Sequence, residues 1–186
     1  MPANPHLAAL LARFSYREGD FTLTSGAKST FYLDAKQVTY HPEGAELVGK
    51  AVWELAREFE AQAVGGPTLG ADAIVSNAVC ASANTKQPLA GFIVRKEAKQ
   101  HGLGKWIEGI DPNGKRVVIV EDVITSGGSL LRAVEHIREA GAEVVVATAV
   151  VDREAGGRAT IEAAGIPYRP LCTLTEVREQ FRAVGR

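Results

Sequence analysis

VVIVEDVITSGGSLLRAVEHIREA, Val117 to Ala140, is the stretch around which the rest of the chain is arranged. It opens on four consecutive β-branched apolar residues, Val117 to Val120. A run this short and unbroken predicts a central strand buried on both faces, as in a parallel sheet. Two acids follow, Glu121 and Asp122, then Val123 and Ile124, then the small-residue loop Thr125-Ser126-Gly127-Gly128-Ser129. From Leu130 the spacing turns helical, with Leu130, Val134 and Ile137 on one stripe and Gly141 placed to end it. The order strand, acidic pair, loop, helix puts the loop beyond the carboxyl end of a strand, where open α/β sheets bind ligands.

The residue types define what such a loop can hold. Gly127 and Gly128 let the backbone fold tightly and bring its N–H groups close to an anion. Thr125, Ser126 and Ser129 add hydroxyl donors, and the helix N-terminus adds the positive end of its dipole. Two carboxylates beside a phosphate would repel it unless they serve another group, and acceptor-only side chains suit the hydroxyls of an attached ribose. A ribose 5-phosphate is therefore the expected ligand. GxxxxGK[ST] and GxGxxG are both missing, which argues against the Walker and dinucleotide readings. The bland alternative is an ordinary strand-to-helix turn capped by Ser129, since glycine-serine turns are common.

Placed between strand and helix, EDVITSGGS resembles the 5-phosphoribosyl 1-diphosphate (PRPP) motif of the type I phosphoribosyltransferases. In that family two acids precede a T-x-G-small loop. The resemblance implies a mainly parallel twisted sheet flanked by helices.

The 186 residues, 46% apolar and 23% charged, suffice for one domain with a substantial core, and a single domain over 1–186 is expected. A formal charge of −1 argues against a general nucleic-acid or anionic-membrane binder. Cys80 and Cys172 lie far apart and form no CxxC, as in a reducing compartment without a disulfide framework or structural zinc. The opening MPANPHLAALLARF does not resemble a secretory signal, and no apolar run approaches membrane-spanning length. Cytoplasmic placement is expected.

Along the chain, His6 to Phe14 is expected to be a short helix broken by Gly19-Asp20. Phe21 to Thr24 and Thr30 to Val38 form a hairpin about Ser25-Gly26-Ala27-Lys28, a small flap within roughly the first 40 residues. Pro42 to Gln62 is a helix with Val48, Val52, Leu55 and Phe59 inward. Ala63 to Thr68 is a weak strand, Gly70 to Asn84 a helix, and Leu89 to Val94 a buried strand with which Trp106 to Gly109 pairs. Val144 to Val151 is the strongest strand, and a helix over Ala159 to Ala164, a strand over Tyr168 to Thr173 and a last helix over Leu174 to Phe181 complete the alternation. His6, His41 and His136 are expected on surfaces or helix faces, Trp53 and the cysteines in packing.

RKEAKQHGLGKW, Arg95 to Trp106, is the second informative segment. It sets Arg95, Lys96, Lys99, His101 and Lys105 around one acid, Glu97, and carries Gly102 and Gly104, which predicts a mobile loop. Leaving from the strand end that the phosphate loop shares, it can close on a polyanion and neutralise a departing leaving group. The bland alternative is a solvated surface loop.

RKEAKQHGLGKWIEG resembles the catalytic loop of the orotate phosphoribosyltransferases, with its R-K-x-x-K-x-H-G pattern. FTLTSGAKSTFYLDAK resembles their N-terminal F-x-L-x-S-G-x-x-S-x-x-Y-x-D segment, and Asp152-Arg153 their orotate-binding D-R. The resemblance implies transfer of the phosphoribosyl group from PRPP to orotate with Mg²⁺, in a cytoplasmic homodimer that shares the basic loop between subunits. Glu121 and Asp122 are then implied for the ribose hydroxyls, and Val123, Ile124, Thr125, Ser126, Gly127, Gly128 and Ser129 for the rest of the PRPP motif. Arg95, Lys96, Lys99 and His101 are implied for the diphosphate, with Lys99 the main catalytic side chain and Asp122 its companion. Thr125, Arg153, Tyr32 and Lys28 are implied at orotate, the guanidinium suiting bidentate recognition. Mg²⁺ is expected on substrate oxygens and water, without a dedicated protein site.

Two positions depart from some bacterial relatives. Thr24 and Leu69 stand where those proteins carry lysines, and Lys28 is the nearby candidate to replace them. A purine phosphoribosyltransferase and a non-catalytic PRPP sensor are the competing readings. Arg153 and the SGAKS segment favour orotate over a purine, and a sensor would usually carry a DNA-binding helical domain or a basic RNA-binding face.

Overall fold

Apolar β-branched runs become the strands of this protein, and the amphipathic segments between them become helices that cover the sheet. The computed structural model describes residues 4–22, 26, 28–97 and 106–184. Helix α1 (Pro5–Leu10) leads through a π-helical turn (Leu11–Ser15) into strands β1 (Tyr16–Thr22) and β2 (Lys28–Leu33), then helices α2 (Lys36–Thr39) and α3 (Pro42–Glu58). There follow β3 (Ala63–Pro67), α4 (Asp72–Ser82), β4 (Ala90–Val94), β5 (Ile107–Gly109) and β6 (Arg116–Ile124). The chain continues with α5 (Gly128–Glu139), β7 (Glu143–Asp152), α6 (Gly157–Ala163), β8 (Cys172–Thr173) and α7 (Leu174–Val184).

Six strands form the main sheet in the order β5-β4-β3-β6-β7-β8, and β1 and β2 form a separate antiparallel pair. All neighbours in the main sheet run parallel except β4 and β5, where Phe92 to Val94 pair antiparallel with Gly109 to Ile107. The chain moves outward from β3 to β4, then crosses back to place β6 on the other flank of β3. That reversal opens a crevice between the carboxyl ends of β3 and β6, the position where such sheets bind ligands.

Strand β6 shows why the sheet must be covered twice. Val118 and Val120 enter the core beneath α1, α3, α4 and α7, while Val117 and Ile119 enter the core beneath α5 and α6. All four are fully buried, each contributing about 1.5–3 kcal/mol of apolar transfer before chain entropy is counted.

Several boundaries differ from the sequence expectation. The break expected at Gly19-Asp20 is instead a register irregularity inside β1, which begins at Tyr16 and pairs with Leu33. The second hairpin strand stops at Leu33, because the Asp34 carboxylate accepts the Lys36 N–H (3.1 Å) and the Ala35 carbonyl accepts from Val38 and Thr39, starting α2. Strand β6 does not end at Val120: pairing with β7 carries it through Glu121 and Asp122 to Ile124. From the last expected strand Cys172–Thr173 forms a regular ladder and Tyr168 an isolated bridge, while Arg169 and Leu171 donate to the Ala147 and Ala149 carbonyls of β7 and Pro170 between them supplies no N–H.

Candidate active site

At the carboxyl end of β6 the acidic pair meets two other segments. Glu121 is buried, and the Asp122 carboxylate is mostly covered. Asp122 Oδ1 accepts its neighbour Val123 N–H (2.7 Å), and Oδ2 accepts from Lys36 Nζ at 2.6 Å. Lys36 also lies 3.5 Å from Asp34 Oδ1, so the start of α2 is tied to the end of β6. From the other side comes the β3–α4 turn. A Cβ on Gly70 would sit 2.2 Å from Glu121 Oε1 and 2.7 Å from Asp122 Oδ1, so only a glycine lets the turn come this close.

This crowding sets the protonation of the pair. Burial, and then the Asp122 charge beside it, push the Glu121 carboxyl up to about 8, against the pull of hydrogen bonds from the Asp122 backbone and the Ser129 hydroxyl. Burial alone would lower the Lys36 ammonium, but the hydrogen bond and charge of Asp122, with Asp34 behind, hold it above the usual lysine range. Glu121 thus keeps its proton well above the usual carboxylate range, and Lys36 keeps its charge.

Beyond Ile124 the loop turns outward. Thr125, Ser126 and Ser129 are exposed, whereas Gly127 is buried and takes φ +83°, a left-handed conformation at the N-cap of α5. A side chain at Gly127 would be strained there and would press on Ile161 of α6 at 3.3 Å. The hydroxyls and the first free N–H groups of the 12-residue α5 thus share one edge with the carboxylate pair.

Arg153 follows β7 on the same edge. Its N–H bonds the Ile124 carbonyl (2.9 Å), and the buried Asp152 accepts the Glu154 N–H (2.8 Å) to shape the turn. The Arg153 guanidinium lies 4.9 Å from the centre of the Phe31 ring in the hairpin, and Arg178 of α7 lies 4.6 Å from the same ring. Arg178 also donates to the Tyr16 hydroxyl (3.1 Å), so the hairpin, β7 and α7 are joined around Phe31.

Arg95 and Lys96 stand just after β4. With Thr68, Leu69, Ile93, Glu97 and Glu108 they line a cavity of about 470 Å³ between the β3–α4 turn and the start of the basic segment. Arg95 pairs with Glu108 (3.3 Å), and its N–H bonds the Trp106 carbonyl (2.8 Å), closing the base of that segment.

The phosphoribosyl transferase domain family matches residues 34–163, which include the carboxylate pair, the loop and Arg153. An orotate phosphoribosyltransferase of Aquifex aeolicus is 47% identical over 174 residues, spanning 92% of this chain and 95% of that protein. The chain belongs to the orotate phosphoribosyltransferase family. The family member of Thermosynechococcus vestitus is 48% identical over 172 residues, 92% of this chain and 90% of its own. Among solved structures, the orotate phosphoribosyltransferase of Mycobacterium tuberculosis in complex with PRPP superimposes with a TM-score of 0.79 at 36% identity, covering 93% of this chain and 97% of that one.

Against the roles that the family resemblance implied, the fold brings Glu121, Asp122, Val123, Ile124, Thr125 to Ser129 and Arg153 to one edge, with Arg95 and Lys96 across the β3–α4 turn. Lys99 and His101 lie outside the described residues, as does Thr24. Lys28 donates to Thr22 Oγ1 (2.9 Å) at the far end of the hairpin, and is not the cation found on the acidic pair. Tyr32 is 46% exposed and stands beside Phe21, on the strand face opposite to Phe31. Lys36, Phe31 and Gly70 are the site residues that sequence reading missed. Lys36 and Phe31 lie inside the quoted FYLDAK segment, but no local pattern gives a contact with a residue 86 positions away.

Proposed function

We propose that this chain transfers the 5-phosphoribosyl group of PRPP to orotate, giving orotidine 5′-monophosphate and pyrophosphate in pyrimidine nucleotide synthesis. The observation that carries the reading is the convergence, at the β3/β6 crevice, of the Glu121–Asp122 pair, the left-handed Gly127 cap and Arg153. Asp122 and Glu121 hold the two ribose hydroxyls, and Val123 to Ser129 wrap the 5′-phosphate with N–H and O–H donors. Arg95, Lys96, Lys99 and His101 take the diphosphate, Lys99 carrying most of the charge stabilisation as it departs. Arg153, held by Phe31, reads the carboxylate or carbonyl edge of orotate, with Thr125 beside it.

The chemistry needs no protein nucleophile. A ring nitrogen of orotate bonds to the anomeric carbon with its own electron pair and gives up its N–H proton to solvent or pyrophosphate, while the bond to the diphosphate oxygen breaks, that pair leaving with pyrophosphate. The ribose gains positive charge on the way, so orientation, exclusion of water and cations on the leaving group do the work. Mg²⁺ would be carried mainly by the diphosphate oxygens and water, as this small hard cation prefers, with the Glu121–Asp122 carboxyls the acidic groups of the same crevice. Bound on the diphosphate, Mg²⁺ supplies charge neutralisation there.

We also infer one phosphoribosyltransferase domain over 1–186, with its hood in roughly the first 40 residues, acting as a homodimer whose basic loop reaches the neighbouring site. The hairpin pair, separate from the main sheet, supports the hood, and the family resemblance supports the dimer. Cytoplasmic placement is supported by two unpaired cysteines, Cys80 and Cys172, and by the absence of any helix among the described residues long and apolar enough to cross a membrane. Incubation with PRPP, Mg²⁺ and either orotate or a purine tests the function. Orotate-dependent pyrophosphate release is expected, and release with adenine or guanine alone would overturn the assignment.

A further inference from the structure

Lys36 closes the FTLTSGAKSTFYLDAK segment but falls at none of its pattern positions, and no role is implied for it there. Its ammonium occupies Asp122 Oδ2, while Oδ1 of the same carboxylate is taken by the Val123 N–H. Each Asp122 oxygen thus already holds one donor, so a ribose hydroxyl arriving there must share Oδ2 with the ammonium or displace it. If Asp122 takes the 2-hydroxyl, which is borne by the neighbour of the anomeric carbon, an ammonium left beside it stands close to the reacting centre. A lone cation there opposes the positive charge that develops on the ribose. The same cation paired with the departing diphosphate lowers the barrier instead.

The surroundings favour that exchange. The Asp34 carboxylate accepts the Lys36 backbone N–H and also lies 3.5 Å from Nζ, so the side chain, 42% exposed overall, is anchored at its backbone while its ammonium is shared between Asp34 and Asp122. Gly70 presses against Asp122, and its turn neighbours Thr68 and Leu69 line the cavity that holds Arg95 and Lys96. Asp122, and Lys36 with it, therefore borders the diphosphate side of the crevice through a single turn. Leu69 in that turn carries no charge, so the turn itself brings no cation there.

We propose that Lys36 is a diphosphate-binding residue of this site, which rests on Asp122 in the free protein and passes to the diphosphate when the ribose hydroxyls take its place. The inference rests on the reading of the site as one for PRPP. Calorimetric titration of the full chain with PRPP and, separately, with ribose 5-phosphate tests it in wild type, Lys36→Gln and Lys36→Arg. Lys36→Gln is expected to weaken PRPP by roughly 10- to 100-fold, the range for one lost charge-assisted contact. It should leave ribose 5-phosphate unchanged or tighter, since Asp122 is released, and Lys36→Arg should recover most of the PRPP affinity. Equal weakening of both ligands in Lys36→Gln would make Lys36 a mere support for Asp122 and overturn the proposal, as would no change in either. A wild-type chain that binds ribose 5-phosphate but not PRPP, or neither, would overturn the reading of the whole site and this inference with it.

Discussion

Replacing Phe31 with leucine should raise the KM for orotate while leaving that for PRPP in place. The ring has the Arg153 guanidinium 4.9 Å from its centre and the Arg178 guanidinium 4.6 Å away. At such partly exposed positions each cation–ring contact contributes about 0.5–1 kcal/mol. The Arg178 share falls on hairpin stability, where a further loss of about 1 kcal/mol is expected from the smaller side chain. Only the Arg153 share bears on orotate, which translates to a rise of about two- to fivefold in its KM. In the proposed site PRPP is assigned to groups on β6, α5 and the basic segment and not to the Phe31 ring, so its KM should move less than twofold by this order-of-magnitude reasoning. Steady-state kinetics with each substrate varied in turn, alongside a denaturant melt, separates the two shares. Phe31→Tyr keeps the ring and should behave as wild type towards orotate. If both KM values rise together in Phe31→Leu, or if Phe31→Tyr fares no better, Phe31 does not position Arg153.

Other changes probe the remaining parts of the site. Lys99→Ala should cut kcat far more than it weakens PRPP binding, because its charge counts most as pyrophosphate leaves; stopped-time turnover and calorimetry give the ratio, and equal losses would refute the role. Asp122→Asn should weaken PRPP binding by roughly 10- to 100-fold with an unchanged circular dichroism spectrum, and normal binding would refute the ribose role. Glu121, whose carboxyl shifts from 4.5 to about 8 on folding, holds a proton that the unfolded chain has already released. Its contribution to stability is therefore full below about 4.5 and declines as pH climbs towards about 8. Urea unfolding across that window should show the decline in wild type and a flatter profile in Glu121→Gln, and identical slopes would count against a buried proton.

The parts of this site that sequence reading reached are those where chemistry and local pattern coincide. Val117 to Val120 announces a strand buried twice because no polar residue interrupts it, and the two cores confirm the alternation. Asp122 and the Gly127 loop carry their roles in their residue types. The pairing expected of Trp106 to Gly109 with the Leu89–Val94 strand, across the basic segment, is found for Ile107 to Gly109 and β4. Strand β3, by contrast, reads weakly: Ala63-Val64-Gly65-Gly66-Pro67 has one β-branched residue, yet all five are buried at the centre of the sheet. Its place comes from neighbours on both sides, and its glycines suit the close approach those neighbours require. The extension of β6 through two acids has the same origin, since the ladder with β7 continues regardless of side-chain type. The Lys36–Asp122 pair and the gathering of Arg153 and Arg178 on Phe31 join distant segments, and only the completed fold places them together.

Titration of PRPP into the wild-type chain with Mg²⁺ present tests most directly that a sugar phosphate is gripped at the junction of β6 and α5. Saturable binding is predicted, with ribose 5-phosphate competing and with Asp122→Asn and Gly127→Val each lowering the affinity. An absence of binding, or binding indifferent to both substitutions, would contradict the account.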